Sequence, residues 1–165
     1  MSRRKTGLVF LLSMAMFGVM FNIPLVSCSG TIYIRADGQV DPSTAPILNV
    51  RNVFYTFTGS ISDSVVVERD NIVVDGAGYT LQGTGAYYFI GIDLSDRSNV
   101  TIKNMQIKGF IDGINLYNSS GNSISGNNIT NNAGGIFLRD SSNNSICENT
   151  ITANDLIGIS LSSSS

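Results

Sequence analysis

The 165-residue chain has no histidine and no tryptophan, three prolines and two cysteines, and only 13% of it is charged. Without histidine the commonest metal ligand and the commonest general base are gone. A net charge of −2 excludes the basic, phosphate-neutralising surface of a nucleic-acid binder. Alanine is scarce as well, at seven residues against nineteen isoleucines, so the apolar share rests on a β-branched residue rather than on helix formers. What the chain does have is 17 glycines, 22 serines and 17 asparagines, about a third of its length. Turn formers in that quantity, with isoleucine spread evenly between them, imply an all-β chain with many tight corners and argue against a disordered tail.

Charge is unevenly placed. Arg3, Arg4 and Lys5 open the chain, and no acidic residue precedes Asp37. Setting those three aside leaves seven basic residues against twelve acidic ones, a balance that disfavours polyanionic partners. After the basic start, Gly7 to Phe21 is apolar apart from Ser13, too short for an ordinary membrane span, and Pro24 ends the run. Residues 1–28 therefore read as a signal peptide. Small residues follow in Leu25-Val26-Ser27-Cys28-Ser29-Gly30, which permits three outcomes: cleavage before Ser29, cleavage before a lipidated Cys28, or retention as an anchor. Each outcome places the body outside the cytoplasm, at the cell surface, in the periplasm or beyond. Loss of Cys28 would leave Cys147 alone, so packing and not a disulfide must hold the fold.

The strongest signal is self-similarity. Gly91-Ile92-Asp93-Leu94, Gly113-Ile114-Asn115-Leu116, Gly135-Ile136-Phe137-Leu138 and Gly158-Ile159-Ser160-Leu161 recur at intervals of 22, 22 and 23. Ile102, Ile124 and Ile146 keep the same interval of 22, as do Ile107, Ile129 and Ile151. Each period holds three short apolar stretches separated by Ser, Asn and Gly, too brief for helices. One such period cannot bury its own apolar face, whereas stacked periods build one continuous core. The implied architecture is a right-handed parallel β-helix with aliphatic ladders, equivalent residues lying about 4.8 Å apart on neighbouring coils. Ile92, Leu94, Ile102 and Ile107 should point inward, and Gly and Asn should take left-handed angles at the corners.

Stacking also constrains charge. Asp96 is followed by Asn118 and Asp140, so a neutral residue separates the two acids. Asn71 to Val74 matches Asn99 to Ile102 at an offset of 28, which makes residues 64–90 an irregular first coil within a solenoid spanning 63–165. Residues 29–62 are expected to form an N-terminal β cap over its otherwise open edge. The last repeat stops inside Ser162 to Ser165, so truncation of the solenoid is expected, with a self-associating edge at Ile159 and Leu161.

The Gly-Ile-x-Leu coil, with the entry Gly30 to Gly38 and the stretch Asn71 to Gly83, resembles right-handed parallel β-helix proteins. It is similar to the NosD-like periplasmic copper-binding family and to carbohydrate-binding and sugar hydrolase β-helix domains, whose fold is pectin lyase-like. The resemblance covers about residues 30 to 165 and implies fold more sharply than function.

Three functions follow for weighing. A non-catalytic structural or carbohydrate-binding module needs only a long polar face, and this reading is favoured, with an extracellular polysaccharide or cell-surface component as partner and no cofactor. A lyase or glycosidase needs clustered or paired carboxylates. Asp93 and Asp112 are the catalytic candidates, and Asn115 and Gly134 stand where each would need a matching acid one coil on. Copper handling, implied by the NosD resemblance, needs imidazole or soft sulfur, and the coils hold only Met105 and Cys147, so no metal site is assigned. Tyr117 and Arg139 share a register and form a candidate binding pair. Asn99, Asn118, Asn128 and Asn143 each begin an Asn-x-Ser/Thr sequon, expected to be glycosylated, if anywhere, only at outward corners.

Overall fold

The computed structural model describes residues 30–85 and 89–165; the leader and its lipidation candidate Cys28 lie outside these described residues. The chain winds as a β-solenoid whose turns contribute one strand to each of three parallel sheets. The first sheet stacks Thr31–Ile34, Ser64–Val67, Ile90–Asp93, Asp112–Tyr117, Gly134–Arg139 and Ile157–Ser162. The second stacks Phe54–Phe57, Val73–Asp75, Thr101–Lys103, Ser123–Ser125 and Ser145–Cys147. The third stacks Thr80–Gln82, Gln106–Lys108, Asn128–Thr130 and Thr150–Thr152. Two antiparallel strands, Val40–Asp41 beside Thr31–Ile34 and Ile47–Val50 beside Phe54–Phe57, lie at the outer N-terminal edges of the first and second sheets.

The register is the one the repeats require. Ile92 pairs with Ile114, Ile114 with Ile136, and Ile136 with Ile159. Ile102, Ile124 and Ile146 stack in the second sheet, and Leu81, Ile107, Ile129 and Ile151 in the third. Val74 meets Ile102 across the offset of 28, so the irregular coil joins the same ladder. Ile92, Leu94, Ile102, Ile107, Ile114, Leu116, Ile124, Ile129 and Ile136 have no exposed surface. Each aliphatic side chain buried in such a stack contributes about 1.5–3 kcal/mol relative to leaving it in water.

The glycines of the repeat have a different reason from the corner glycines. A Cβ on Gly91 would sit 2.5 Å from the Gly113 carbonyl oxygen, and one on Gly113 would sit 2.7 Å from that of Gly135. The backbone passes too close for any side chain there, so the glycine ladder marks close approach rather than a left-handed angle. Left-handed angles do occur at Asn99, Asn104, Asn118, Asn131 and Asn143, each with φ between 49° and 56°.

Asn122, Asn127 and Asn132 depart from the corner reading. They are not among the residues with positive φ; they point into the barrel and are 1%, 2% and 0% exposed. Every amide is used. Val100, Met105 and Phe110 donate their backbone N–H groups to the Oδ1 atoms of Asn122, Asn127 and Asn132 at 2.9, 3.2 and 3.1 Å. Their Nδ2 groups donate to the carbonyls of Arg97, Ile102 and Ile107, each at 3.1 Å. Asn144, Asn149 and Asn154 repeat the arrangement one coil later. A buried serine ladder runs beside them, with Ser119 Oγ donating to the Leu94 carbonyl at 2.6 Å and Ser141 Oγ to that of Leu116 at 3.1 Å. Corner backbone groups left unpaired inside the barrel would each cost about 1–3 kcal/mol, and these side chains satisfy them.

Candidate functional site

The longest strands, Asp112–Tyr117, Gly134–Arg139 and Ile157–Ser162, lie in the first sheet, and its outward residues make the broadest ordered face of the solenoid. In register, one row reads Val66, Asp93, Asn115, Phe137 and Ser160, and a second reads Ile90, Asp112, Gly134 and Ile157. Tyr117, Arg139 and Ser162 form a third row at the far ends of those strands.

Asp93 is fully engaged on one oxygen. Its Oδ1 accepts from the Ser95 N–H at 3.0 Å, the Ser95 hydroxyl at 2.6 Å and the Asn115 Nδ2 at 3.0 Å. Asn115 lies opposite Asp93 and Ser95 lies beyond it, whereas Asp112 pairs with Ile90 on the other side. Asp93 and Asp112 are three residues and one strand apart in register, about 11 Å between backbone positions. That separation, with Asn115 and Gly134 at the matching positions of the neighbouring coils, does not assemble the carboxylate pair of a glycosidase.

Asp112 is the chemically distinct group. It is half-buried, its carboxyl makes no hydrogen bond among the described residues, and burial pushes that carboxyl above the usual aspartate range. It can approach Phe137 because position 134 is glycine: a Cβ there would meet Phe137 Cε2 at 2.7 Å and Asp112 Oδ1 at 3.0 Å. The ring of Phe137 and the carboxyl of Asp112 therefore close over the same bare stretch of backbone. Tyr117 is 44% exposed, and the Arg139 guanidinium carbon lies 5.9 Å from its ring centroid. Arg139 also pairs with Asp140 at 3.6 Å. The sequence marks Gly134 only as the place where Asp112 lacks a matching acid, and Phe137 is not singled out in it; the departure of Phe from the polar residues of its row, Asp93, Asn115 and Ser160, is the available signal.

The four sequon asparagines are all exposed. Asn99, Asn118 and Asn143 occupy left-handed corners and Asn128 starts a strand. Two of their amides are held, Asn99 by Asn71 at 2.8 Å and Asn118 by Asp96 at 2.7 Å. The latter bond joins the neutral asparagine to one of the two aspartates it separates.

Stacked parallel coils with interior aliphatic and amide ladders define a parallel β-helix protein. The NosD family model, described as periplasmic copper-binding protein, matches residues 39–165, and the chain belongs to that family. Neither the curated proteins nor the solved structures include a match to it. The copper in the family's description requires donors that the described residues hold sparsely. The chain has no histidine, and Met105, 2% exposed within the core, and the exposed Cys147 are the only sulfur side chains among the described residues. Among the described residues no three His, Cys, Asp or Glu side chains come together to hold a metal ion. Copper favours imidazole and sulfur, so the described residues do not fit it.

Proposed function

We propose that this chain is a non-catalytic β-helix module working outside the cytoplasm, and that the outward face of its first sheet binds a carbohydrate. The periplasmic description of the family and the basic, apolar start of the sequence support the location. The observation that carries the binding reading is Asp112, a half-buried carboxyl with no hydrogen bond among the described residues, beside the Phe137 ring over Gly134. A sugar offers an apolar C–H face for a ring and hydroxyl donors for a carboxylate, and the Asn115 amide and Tyr117 hydroxyl extend the polar contacts along the strands. Catalysis is disfavoured because Asp93 is committed to Ser95 and Asn115, which leaves Asp112 without a partner acid.

Screening the full chain against a glycan array, followed by calorimetry on the best hit, tests this reading. Phe137→Ala and Asp112→Ala should each weaken that hit about tenfold or more, equivalent to about 1.4 kcal/mol. Equal binding by both variants would remove the site, and turnover of the glycan would remove the non-catalytic reading.

A second reading, copper handling, is favoured by the family description alone. Titration with Cu(I) and Cu(II) would support it if one ion bound stoichiometrically and Cys147→Ser abolished the binding.

A further inference from the structure

The outer face of the second sheet changes character along the solenoid. Its register row runs Val50, Phe54, Val73, Thr101, Ser123 and Ser145, apolar at the N-terminal end and hydroxylated beyond it. The apolar end is a hairpin. Strands Ile47–Val50 and Phe54–Phe57 pair antiparallel with Val50 opposite Phe54 and Leu48 opposite Thr56, so Tyr55 and Phe57 fill the core while Leu48, Val50 and Phe54 face out. Leu48 is 55% exposed, Phe54 52%, Val50 43% and Val53, in the turn, 37%. Arg51, exposed at the tip, is the one charged residue between Leu48 and Phe57.

The tip is braced rather than loose. The Asn52 N–H donates to Asn49 Oδ1 and the Asn49 amide donates to Asn52 Oδ1, both at 2.9 Å. Asn49 Nδ2 and the Tyr55 hydroxyl both donate to the Gly38 carbonyl, at 2.7 and 2.8 Å, and Arg69 Nε donates to the Asn52 carbonyl at 3.0 Å. Four large apolar side chains are thus held on a rigid wedge with a cation at its point, a surface that a soluble partnerless face would not need.

We propose that the Leu48 to Phe54 hairpin is a bilayer-docking wedge, which lays the N-terminal end of the solenoid on a phospholipid surface. Apolar side chains would enter the acyl boundary while Arg51 meets the phosphates. Two of the three outcomes open to the leader, a retained apolar run or a lipidated Cys28, would tether Gly30 to a membrane. Phe21 is nine residues from Gly30, at most about 32 Å of extended chain, and Cys28 is nearer still. A second copy fits this surface less well. Four side chains fall far below the roughly 800 Å² per partner of a stable interface, and a two-fold contact across the tip would bring two Arg51 guanidinium groups together.

The absence of tryptophan provides the test. Phe54→Trp or Val53→Trp puts a single indole on the wedge of the full chain, and Tyr117→Trp puts one on the first sheet. With vesicles of phosphatidylcholine and phosphatidylglycerol, the wedge indoles should shift to the blue and be quenched by brominated acyl chains, and the Tyr117→Trp indole should do neither. Adding Arg51→Glu should weaken the vesicle response about fivefold. Wedge indoles that stay unshifted on a chain that sediments with vesicles would overturn the proposal, since the leader alone would then hold the membrane. A blue shift that rises with protein concentration in the absence of vesicles would overturn it in favour of a second copy.

Discussion

The backbone N–H of Val100 donates to the side-chain Oδ1 of Asn122 at 2.9 Å, joining one coil to the next inside the barrel. The same amide donates through Nδ2 to the Arg97 carbonyl, so one asparagine closes two backbone groups at one corner. Asn127 and Asn132 do the same at the other two corners. These three residues hold the coil register from within, and through it the alignment of the outward residues on the first sheet.

Replacing Asn127 by Leu keeps the volume but strands the Met105 N–H and the Ile102 carbonyl. The expected loss is about 2–4 kcal/mol of unfolding free energy, measured by denaturant titration. Asn127→Asp should behave differently with pH. A buried carboxyl facing the Ile102 carbonyl has a folded pKa above its unfolded value, so its deficit is smallest below the unfolded pKa and grows as pH rises through the folded one. A deficit that shrinks with rising pH would contradict the geometry.

Ile114 stacks between Ile92 and Ile136 with no exposed surface. Ile114→Asp places an unpaired charge in that aliphatic ladder and should cost more than about 4 kcal/mol, enough to abolish a cooperative thermal transition in a marginal fold. A melting temperature equal to that of the parent chain would refute the register.

Gly134 and Gly135 are neighbours with unequal tolerance. A Cβ on Gly135 would collide with the carbonyl oxygen of Gly158, which is backbone, whereas at Gly134 the nearest obstacle is the Phe137 ring, which can turn. Gly135→Ala should therefore cost about 1–3 kcal/mol and Gly134→Ala less than about 1 kcal/mol. Gly134→Ala should still impair glycan binding, because the methyl group displaces the Phe137 ring from beside Asp112. Parallel chemical denaturation and calorimetry on the pair would show whether stability and binding separate in this way.

Burial raises the Asp112 pKa above its unfolded value, so its contribution to stability favours the folded state below the unfolded pKa and is lost as pH rises through the folded pKa. Asp112→Asn removes that dependence. It should raise stability at neutral pH by up to about 1 kcal/mol, a figure limited by the solvent this half-buried group still sees, and the advantage should vanish in acid. Melting temperatures measured across the acidic range would reveal it, and a stabilisation that persists in acid would place the cause elsewhere.

Much of the fold was legible because a stacked coil imposes its geometry on every turn. The interval of 22 between Ile92, Ile114 and Ile136 recurs as pairing register, and the single extra residue before Gly158 falls in the corner between Asn154 and Ile157. The offset of 28 between Val74 and Ile102 holds as well. The asparagines were legible only in part. Left-handed corners at Asn99, Asn104, Asn118, Asn131 and Asn143 follow from residue type, but Asn122, Asn127 and Asn132 carry the same side chain for an opposite purpose. Asn122 and Asn127 each stand two residues before a ladder isoleucine, Ile124 and Ile129, which none of the left-handed asparagines does, and that is the mark the sequence offers for them.

Amino-acid order alone determined the all-β class, the coil length and the inward ladders, because period and side-chain alternation are local properties that stacking merely repeats. Only the tertiary structure decided which polar residues turn inward, since a buried amide is favourable only where unpaired backbone groups of the coil below meet both its donor and its acceptor. The same holds for Asp112 and Phe137, which are 25 residues apart and become neighbours because Gly134 has no side chain to hold them apart.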